Sequence, residues 1–183
     1  MSIPASCRGR SARLVLTLAL ALPLAVLTLP ALAQFTIAGE AIVSRPYTFQ
    51  LEGYEVYLLG VDSVEVGQSC TVGRDSWECW AAAQRQLETI LSEGEVSCEA
   101  VVGPDADARM IAVCLVNGED VGERFVRSGF GITIPGETDR YEALQAEARA
   151  SGIGLWQGVF TPPAVWRALP MRPPSLRPRF VPD

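Results

Sequence analysis

The chain has 183 residues, with 15 basic residues, all arginine, against 21 acidic residues, no histidine, and a net charge of −6. Lacking His and Lys, it is excluded from histidine-based metal sites, histidine general-base mechanisms and Schiff-base lysine chemistry. The acidic balance opposes binding to polyanions, because most non-specific nucleic-acid affinity comes from neutralising phosphates with Lys or Arg.

In chain order, Arg8, Arg10 and Arg13 precede the apolar run Leu14 to Leu29, and Ala31-Leu32-Ala33 supplies a small-x-small pattern. This predicts a signal peptide over residues 1–33 that is cleaved on export, to the periplasm or outside, leaving no membrane association. An uncleaved anchor is the alternative for a run of this length, and Pro23 and Pro30 argue against it. Residues 34–169 are then one domain, with 9 Arg against 20 acidic residues and a net charge of −11. Roughly 135 residues suffice for one core and are too few for two.

Within this domain Ala41-Ile42-Val43 and Thr48-Phe49-Gln50-Leu51 flank Ser44-Arg45-Pro46-Tyr47, a hairpin pattern. Val56 to Val61 alternates like a half-buried strand and runs into Asp62-Ser63-Val64-Glu65, two carboxylates at a strand end. Asp75 to Glu78, Asp120 to Glu123 and Asp139 to Glu142 each read as Asp-x-x-Glu helix starts, with Asp capping an orphan N–H. Trp80, Ala83, Leu87 and Leu91 follow at helical spacing, as do Tyr141, Leu144 and Ala148, and Gly129 and Gly152 suit helix stops. Val96 to Val102 and Met110 to Val116 read as strands about a Gly103 to Asp107 turn, and Gly131 to Ile134 as a short extended piece. Three strands, helix, two strands and two more helices predict an α+β domain built on a small closed or partly closed barrel. Trp77, Trp80, Trp156 and Trp166 read as packing residues rather than a base-stacking platform.

Cys7 falls in the leader, so Cys70, Cys79, Cys98 and Cys114 are an even set in an exported chain. Cys98 and Cys114 lie symmetrically about Ala106, which fits a cross-strand bridge worth about 3 kcal/mol on the chain-entropy estimate. Cys70 with Cys79 closes the loop into the first helix. A metal site is the alternative, and the pairs lack Cys-x2-Cys spacing. Pro170 to Asp183, with five prolines and three arginines, predicts an extended tail, either a docking strap or an unstructured end.

The order of these pieces resembles the staphylococcal nuclease-like, or thermonuclease, family from about Gly39 to Arg167. The family frame Asp-Gly-Asp-Thr, strand, Arg-Leu-x-Gly-Ile-Asp-x-Pro-Glu aligns without gaps on Arg45-Pro46-Tyr47-Thr48 and Tyr57-Leu58-Leu59-Gly60-Val61-Asp62-Ser63-Val64-Glu65. Asp105-Ala106-Asp107-Ala108-Arg109 falls on its Asp-x-Tyr-Gly-Arg, and Val126 to Phe130 resembles its Val-Arg-x-Gly-Leu helix end. Tyr141 to Arg149 resembles its Glu-Ala-x-Ala-Arg helix, and Gly154 to Phe160 with Pro163 to Arg167 resembles the end of exported bacterial members. The resemblance implies a five-stranded OB-type barrel with about three helices. It also implies a calcium held by two aspartates and a carbonyl, a water-activating glutamate and two phosphate-binding arginines.

On this alignment Asp62 and Ser63 take metal positions, Glu65 and Arg109 take catalytic positions, Tyr47 replaces the first metal aspartate and Tyr57 replaces the first arginine. A phenol cannot substitute for an anionic donor to a hard cation wanting about 6–8 oxygens, and losing a guanidinium removes a main charge-stabilising element of phosphoryl transfer. Tyr47 and Tyr57 then form either an aromatic ligand surface or packing on the sheet. Asp62 and Glu65 are expected to be neutralised by Arg45, and Arg109 to pair with Asp105 or Asp107. The expectation is an exported nuclease-like domain with lost or strongly reduced cleavage, no cofactor, and a binding or structural role with an unidentified, possible protein partner. Two alternatives stand beside it: an active calcium-dependent endonuclease of DNA or RNA in which Glu40 or Glu52 supplies the missing ligand, and a partner-binding protein using the C-terminal tail.

Overall fold

In the computed structural model, residues 35–169 are described; the signal-peptide and tail expectations fall outside them. The first hairpins follow from turn chemistry. Strands β1 (Thr36–Gly39), β2 (Ile42–Arg45), β3 (Thr48–Leu51) and β4 (Tyr54–Leu58) open the domain. The two-residue loop Glu52-Gly53 between β3 and β4 has both residues at positive φ, 49° and 83°, as a type I′ hairpin requires. β5 (Val61–Asp62) continues from β4, and a hairpin of β6 (Cys70–Val72) and β7 (Asp75–Trp77) leads into helix α1 (Cys79–Leu91). Strands β8 (Val96–Val102), β9 (Arg109–Val116) and β10 (Glu119–Asp120), then helix α2 (Val121–Arg127), β11 (Ile132–Thr133) and helix α3 (Glu142–Ala150) follow. A 3₁₀ turn (Gly154–Gln157) and a short helix α4 (Pro163–Ala168) close the described chain.

The main sheet runs β1-β8-β9-β4-β3-β2, with β10 on β9. All its pairs are antiparallel except β4 with β9, where Tyr57 faces Ile111. Its two outermost strands, β1 and β2, are joined by only Glu40 and Ala41, so the sheet must curl on itself, and β1 comes against β3. The result is a half-barrel of OB type with helices on it, the expected α+β class.

Strand periodicity separates two apolar groups. Phe49, Leu51, Val56, Leu58, Met110, Ala112 and Cys114 point into the core beneath α1 and α2, joined there by Leu87, Ile90 and Phe125. The intervening residues Tyr57 and Ile111 point to the other face and, with Tyr47, form a small second cluster, flanked by Leu59 and Val102. That second face carries the family's site positions.

Both expected disulfides are present, Cys70–Cys79 and Cys98–Cys114, and the latter two cysteines are register partners on β8 and β9. Of the three Asp-x-x-Glu starts, only Asp120 caps: its Oδ1 accepts from the Glu123 N–H at 3.0 Å. Asp75 lies in β7 instead, because Gly73 at φ 61° turns the chain between Val72 and Asp75, and α1 starts later without a side-chain cap. Asp139 also does not cap α3 through its side chain; its carbonyl accepts from Glu142 N at 3.2 Å. Gly129 and Gly152 end α2 and α3 at positive φ, as expected. β1, β6, β7, β10 and α4 go beyond the expected elements, each too short or too near a proline to show a period. Among the described residues no helix is long and apolar enough to cross a membrane.

Candidate functional site

The site begins where β4 runs on through Gly60 into β5. Gly60 has φ 65°, and a Cβ there would come within 2.2 Å of Thr138 Cγ2, so only glycine fits this bend. The bend delivers Asp62 and Ser63 to the barrel end. Ser63 Oγ donates to the Phe130 carbonyl at 2.8 Å, and its N–H donates to Asp62 Oδ1 at 2.8 Å, which pins the loop that follows to the chain after α2. Glu65 comes next and is wholly buried.

Gln68, also buried, holds Glu65 from the backbone. Its Oε1 accepts from Glu65 N–H at 3.1 Å, its own N–H donates to the Glu65 carbonyl at 2.9 Å, and its Nε2 donates to the Thr161 carbonyl at 2.6 Å. The loop of residues 63–69 is thereby tied to the segment preceding α4. That segment is tied again by Thr71 and Val159, which exchange backbone hydrogen bonds of 2.9 and 2.8 Å. Pro163 at the first helical turn starts α4, where a missing N–H costs nothing.

One turn later α4 puts Arg167 onto both carboxylates. Its Nη2 donates to Asp62 Oδ1 and Oδ2 at 2.7 and 2.9 Å, and its Nε donates to Glu65 Oε1. The remaining oxygen of Glu65 accepts from the Tyr47 hydroxyl at 3.1 Å, and the guanidinium lies 5.3 Å from the Tyr47 ring centroid. The side chains of Arg167, Asp62 and Glu65 are 15%, 9% and 0% exposed, so this is a desolvated pair rather than a surface one. Burial alone lowers the arginine's pKa, but the hydrogen bond to Asp62 and the charges of Asp62 and Glu65 outweigh it and raise it. Burial first, then the Glu65 charge, raises the Tyr47 phenol, against the opposing charges of Arg167 and Arg45.

The cation on the strand-end carboxylates is therefore Arg167, and the expectation of Arg45 is corrected. Arg45 sits on β2, where it reaches Glu55 of β4 at 3.6 Å. Arg109, at the start of β9, is held by its own turn: Asp105 Oδ2 accepts from its Nη2 at 2.5 Å and its Nε at 2.8 Å, and Asp107 Oδ2 lies 3.1 Å away. These bonds hold the Asp105 carboxyl below its ordinary range. Tyr47 and Tyr57 are each 2% exposed, with ring centroids 6.5 Å apart, and pack with Ile111. They fill the sheet surface and offer little area to a ligand.

Neither acid expected to replace the missing donor stands at the site. Glu52 lies in the turn at the opposite end of the β3–β4 hairpin, its carboxylate against Gly39. Glu40 lines a separate hollow with Leu91 and Gly94. The arrangement does not fit a calcium ion. Both oxygens of Asp62 and one of Glu65 accept from a guanidinium, the other accepts from a phenol, and a fixed positive charge occupies the pocket a cation needs. Among the described residues no cluster of three or more His, Cys, Asp and Glu side chains could hold a metal.

Arg167 and Gln68 were not singled out from sequence. The signal for Arg167 was present: two carboxylates headed for burial require a nearby cation, and Arg167 closes the run that resembles exported members.

A curled OB-type half-barrel with an Asp and a Glu at the end of its β4–β5 strand defines a protein of nuclease-like architecture. The family described as staphylococcal nuclease homologue matches residues 55–158, more than half the chain, and the protein belongs to that family. The matched span contains Tyr57, Asp62, Ser63, Glu65 and Arg109, whereas Tyr47 and Arg167 lie outside it. The chain is also similar to the succinoglycan biosynthesis protein ExoI of Rhizobium meliloti (strain 1021), 28% identical over 126 residues, covering 66% of this chain and 65% of that protein. It thus spans just under two thirds of that relative.

Proposed function

We propose that this is an exported member of the nuclease family in which metal-dependent phosphodiester cleavage is lost or strongly reduced, and that it serves as a binding or structural module. One observation carries the reading: the guanidinium of Arg167 bridges Asp62 and Glu65 in the place where the family's chemistry needs a divalent ion and a free carboxylate. Glu65 has one oxygen engaged by Arg167 and the other by Tyr47 and is 0% exposed, so a water that would attack phosphorus has no open approach to it. Arg109, engaged by Asp105 and Asp107, faces acidic neighbours that disfavour a phosphate. Two disulfides support export, since such bonds persist in oxidising compartments. That a similar protein bears the name of a succinoglycan biosynthesis protein supports a role other than breaking nucleic acid.

The test is cleavage of single-stranded DNA and RNA by the mature protein over a calcium series. The expected result is little or no turnover above the buffer. Robust cleavage that disappears in Glu65→Ala overturns the proposal.

A further inference from the structure

On the side of α3 a hollow of about 470 Å³ opens between α3 and the segment leading into α4. Its walls are Trp156, Phe160, Pro162, Pro163 and Val159, with Gln145 and Arg149 of α3 along one side. Phe160 meets Trp156 edge-on with centroids 5.2 Å apart, and the Arg149 guanidinium lies 4.6 Å from the Trp156 ring centroid, so the wall is rigid and its arginine already has a partner. Val159 is 72% exposed and is the most open apolar side chain of the wall. Apolar area of this kind, framed by aromatic rings and prolines, suits an extended proline-rich strand, which pays little entropy to dock because its polyproline II shape is preformed.

The chain itself supplies such a strand. Directly after Leu169, one short helix beyond Pro163, come at least 14 residues with Pro170, Pro173, Pro174, Pro178 and Pro182 interleaved with Arg172, Arg177 and Arg179. At about 3.1 Å per residue they reach some 40 Å, enough to turn back across α4 to the hollow. The lining itself carries one charged side chain, Arg149, and the charge complementary to the tail lies one turn further along α3. Glu142 lies three and seven residues before Gln145 and Arg149, on the same face of α3, and is exposed with no ion pair among the described residues. The domain as a whole carries −11 against a tail with three arginines and one aspartate.

We propose that this hollow is a polyproline-binding site and that its occupant is residues 170–183 of the same chain, with tail arginines at the Glu142 end. The tether makes weak contacts sufficient. At an effective concentration of about 1 mM, a site with an intrinsic dissociation constant of about 0.1 mM is roughly nine-tenths filled. The proposal is independent of whether the protein cleaves nucleic acid.

The experiment uses the full mature chain with its disulfides formed and a benzophenone amino acid in place of Leu176. On irradiation, crosslinks are expected within one chain, to peptides spanning residues 145–163. Two tenfold losses of affinity, from Glu142→Arg and Val159→Glu together, lower the filled fraction from about nine-tenths to about one-tenth, so the crosslink yield falls about tenfold. Melting curves of the variants confirm that their fold is intact; both side chains are exposed. Crosslinks spread over the surface, crosslinks between chains in a mixed heavy and light sample, no crosslink at all, or a yield unchanged by the paired substitutions each overturn the proposal.

Discussion

Replacing Arg167 by alanine strands two buried carboxylates. The wild-type side chain donates to both oxygens of Asp62 and to Glu65, and the partners are 9% and 0% exposed. Neither carboxylate has another cation within salt-bridge reach among the described residues; the Tyr47 hydroxyl and the Ser63 N–H are neutral donors. Removing one partner of a buried pair costs about 3–5 kcal/mol, against about 0–1 kcal/mol for an exposed pair. For a domain of this size that lowers the melting temperature by roughly 10–15 °C. The assay is urea and thermal unfolding of oxidised protein at neutral pH, with Arg167→Ala, Arg167→Lys and the triple variant Arg167→Ala, Asp62→Asn, Glu65→Gln. Lysine offers one compact ammonium instead of a planar fork and is expected between wild type and alanine. The triple variant is expected to recover part of the loss, because neutral amides are cheaper to bury than lone charges. A loss below about 1 kcal/mol for Arg167→Ala, or no recovery in the triple variant, refutes the claim that a desolvated charge cluster holds the C-terminal segment to the barrel.

Two further outcomes are expected. The phenols of Tyr47 and Tyr141 are both raised above the ordinary value of 10.0, chiefly by burial and then by Glu65 and Asp120 respectively. Their contribution to stability is therefore full below pH ~10 and lost as the pH rises beyond it. Phenolate absorbance at 295 nm should show both missing from the titration near pH 10 in the folded protein and appearing with alkaline unfolding; normal titration of either while the fold persists contradicts its burial. Gly158→Ala places a Cβ 2.0 Å from the Thr71 carbonyl oxygen, and backbone cannot swing aside as a side chain does. A destabilisation of about 1–3 kcal/mol is expected, with faster hydrogen exchange at the Thr71 and Val159 amides, whose mutual bonds would separate.

The barrel was legible because its signals are local and redundant. Alternation across Val56 to Val61 fixes which side chains enter the core, Leu87 and Leu91 at helical spacing place α1, and Cys98 with Cys114 sit at equal distance from a turn. The helix starts were legible only in part. Asp-x-x-Glu describes what a cap needs and not whether the preceding backbone delivers it, and a Gly73 turn turned Asp75 into a strand residue. The site was legible as positions and not as partners. Asp62 and Glu65 were found, but the cation that neutralises them comes from 105 and 102 residues away. Arg45 was the near candidate in sequence, yet its side of β2 points it at Glu55. Nothing in periodicity chooses between nine domain arginines; only α4's placement, through Gln68–Thr161 and Thr71–Val159, does so.

Tyr47 and Arg167 act on the same carboxylate, Glu65, and their dependence on one another can be measured. A carboxylate at position 47 would make a third anion beside Asp62 and Glu65, a set suited to a divalent ion and poorly served by one guanidinium. The phenol instead offers that guanidinium a ring at 5.3 Å and gives Glu65 a hydrogen bond. With calcium absent, Tyr47→Asp combined with Arg167→Ala should be less stable than the sum of the single changes, since three anions then face one another without a cation. With calcium at about ten times the dissociation constant of the reopened site, the double variant should regain about 1.4 kcal/mol, while the wild type, its position filled by Arg167, should not respond. The readout is the calcium dependence of the unfolding midpoint, which requires no catalysis. If calcium moves the wild type as much as the double variant, an ion reaches the site past Arg167. If it moves neither, the carboxylates have lost the cation-binding geometry for reasons other than these two residues.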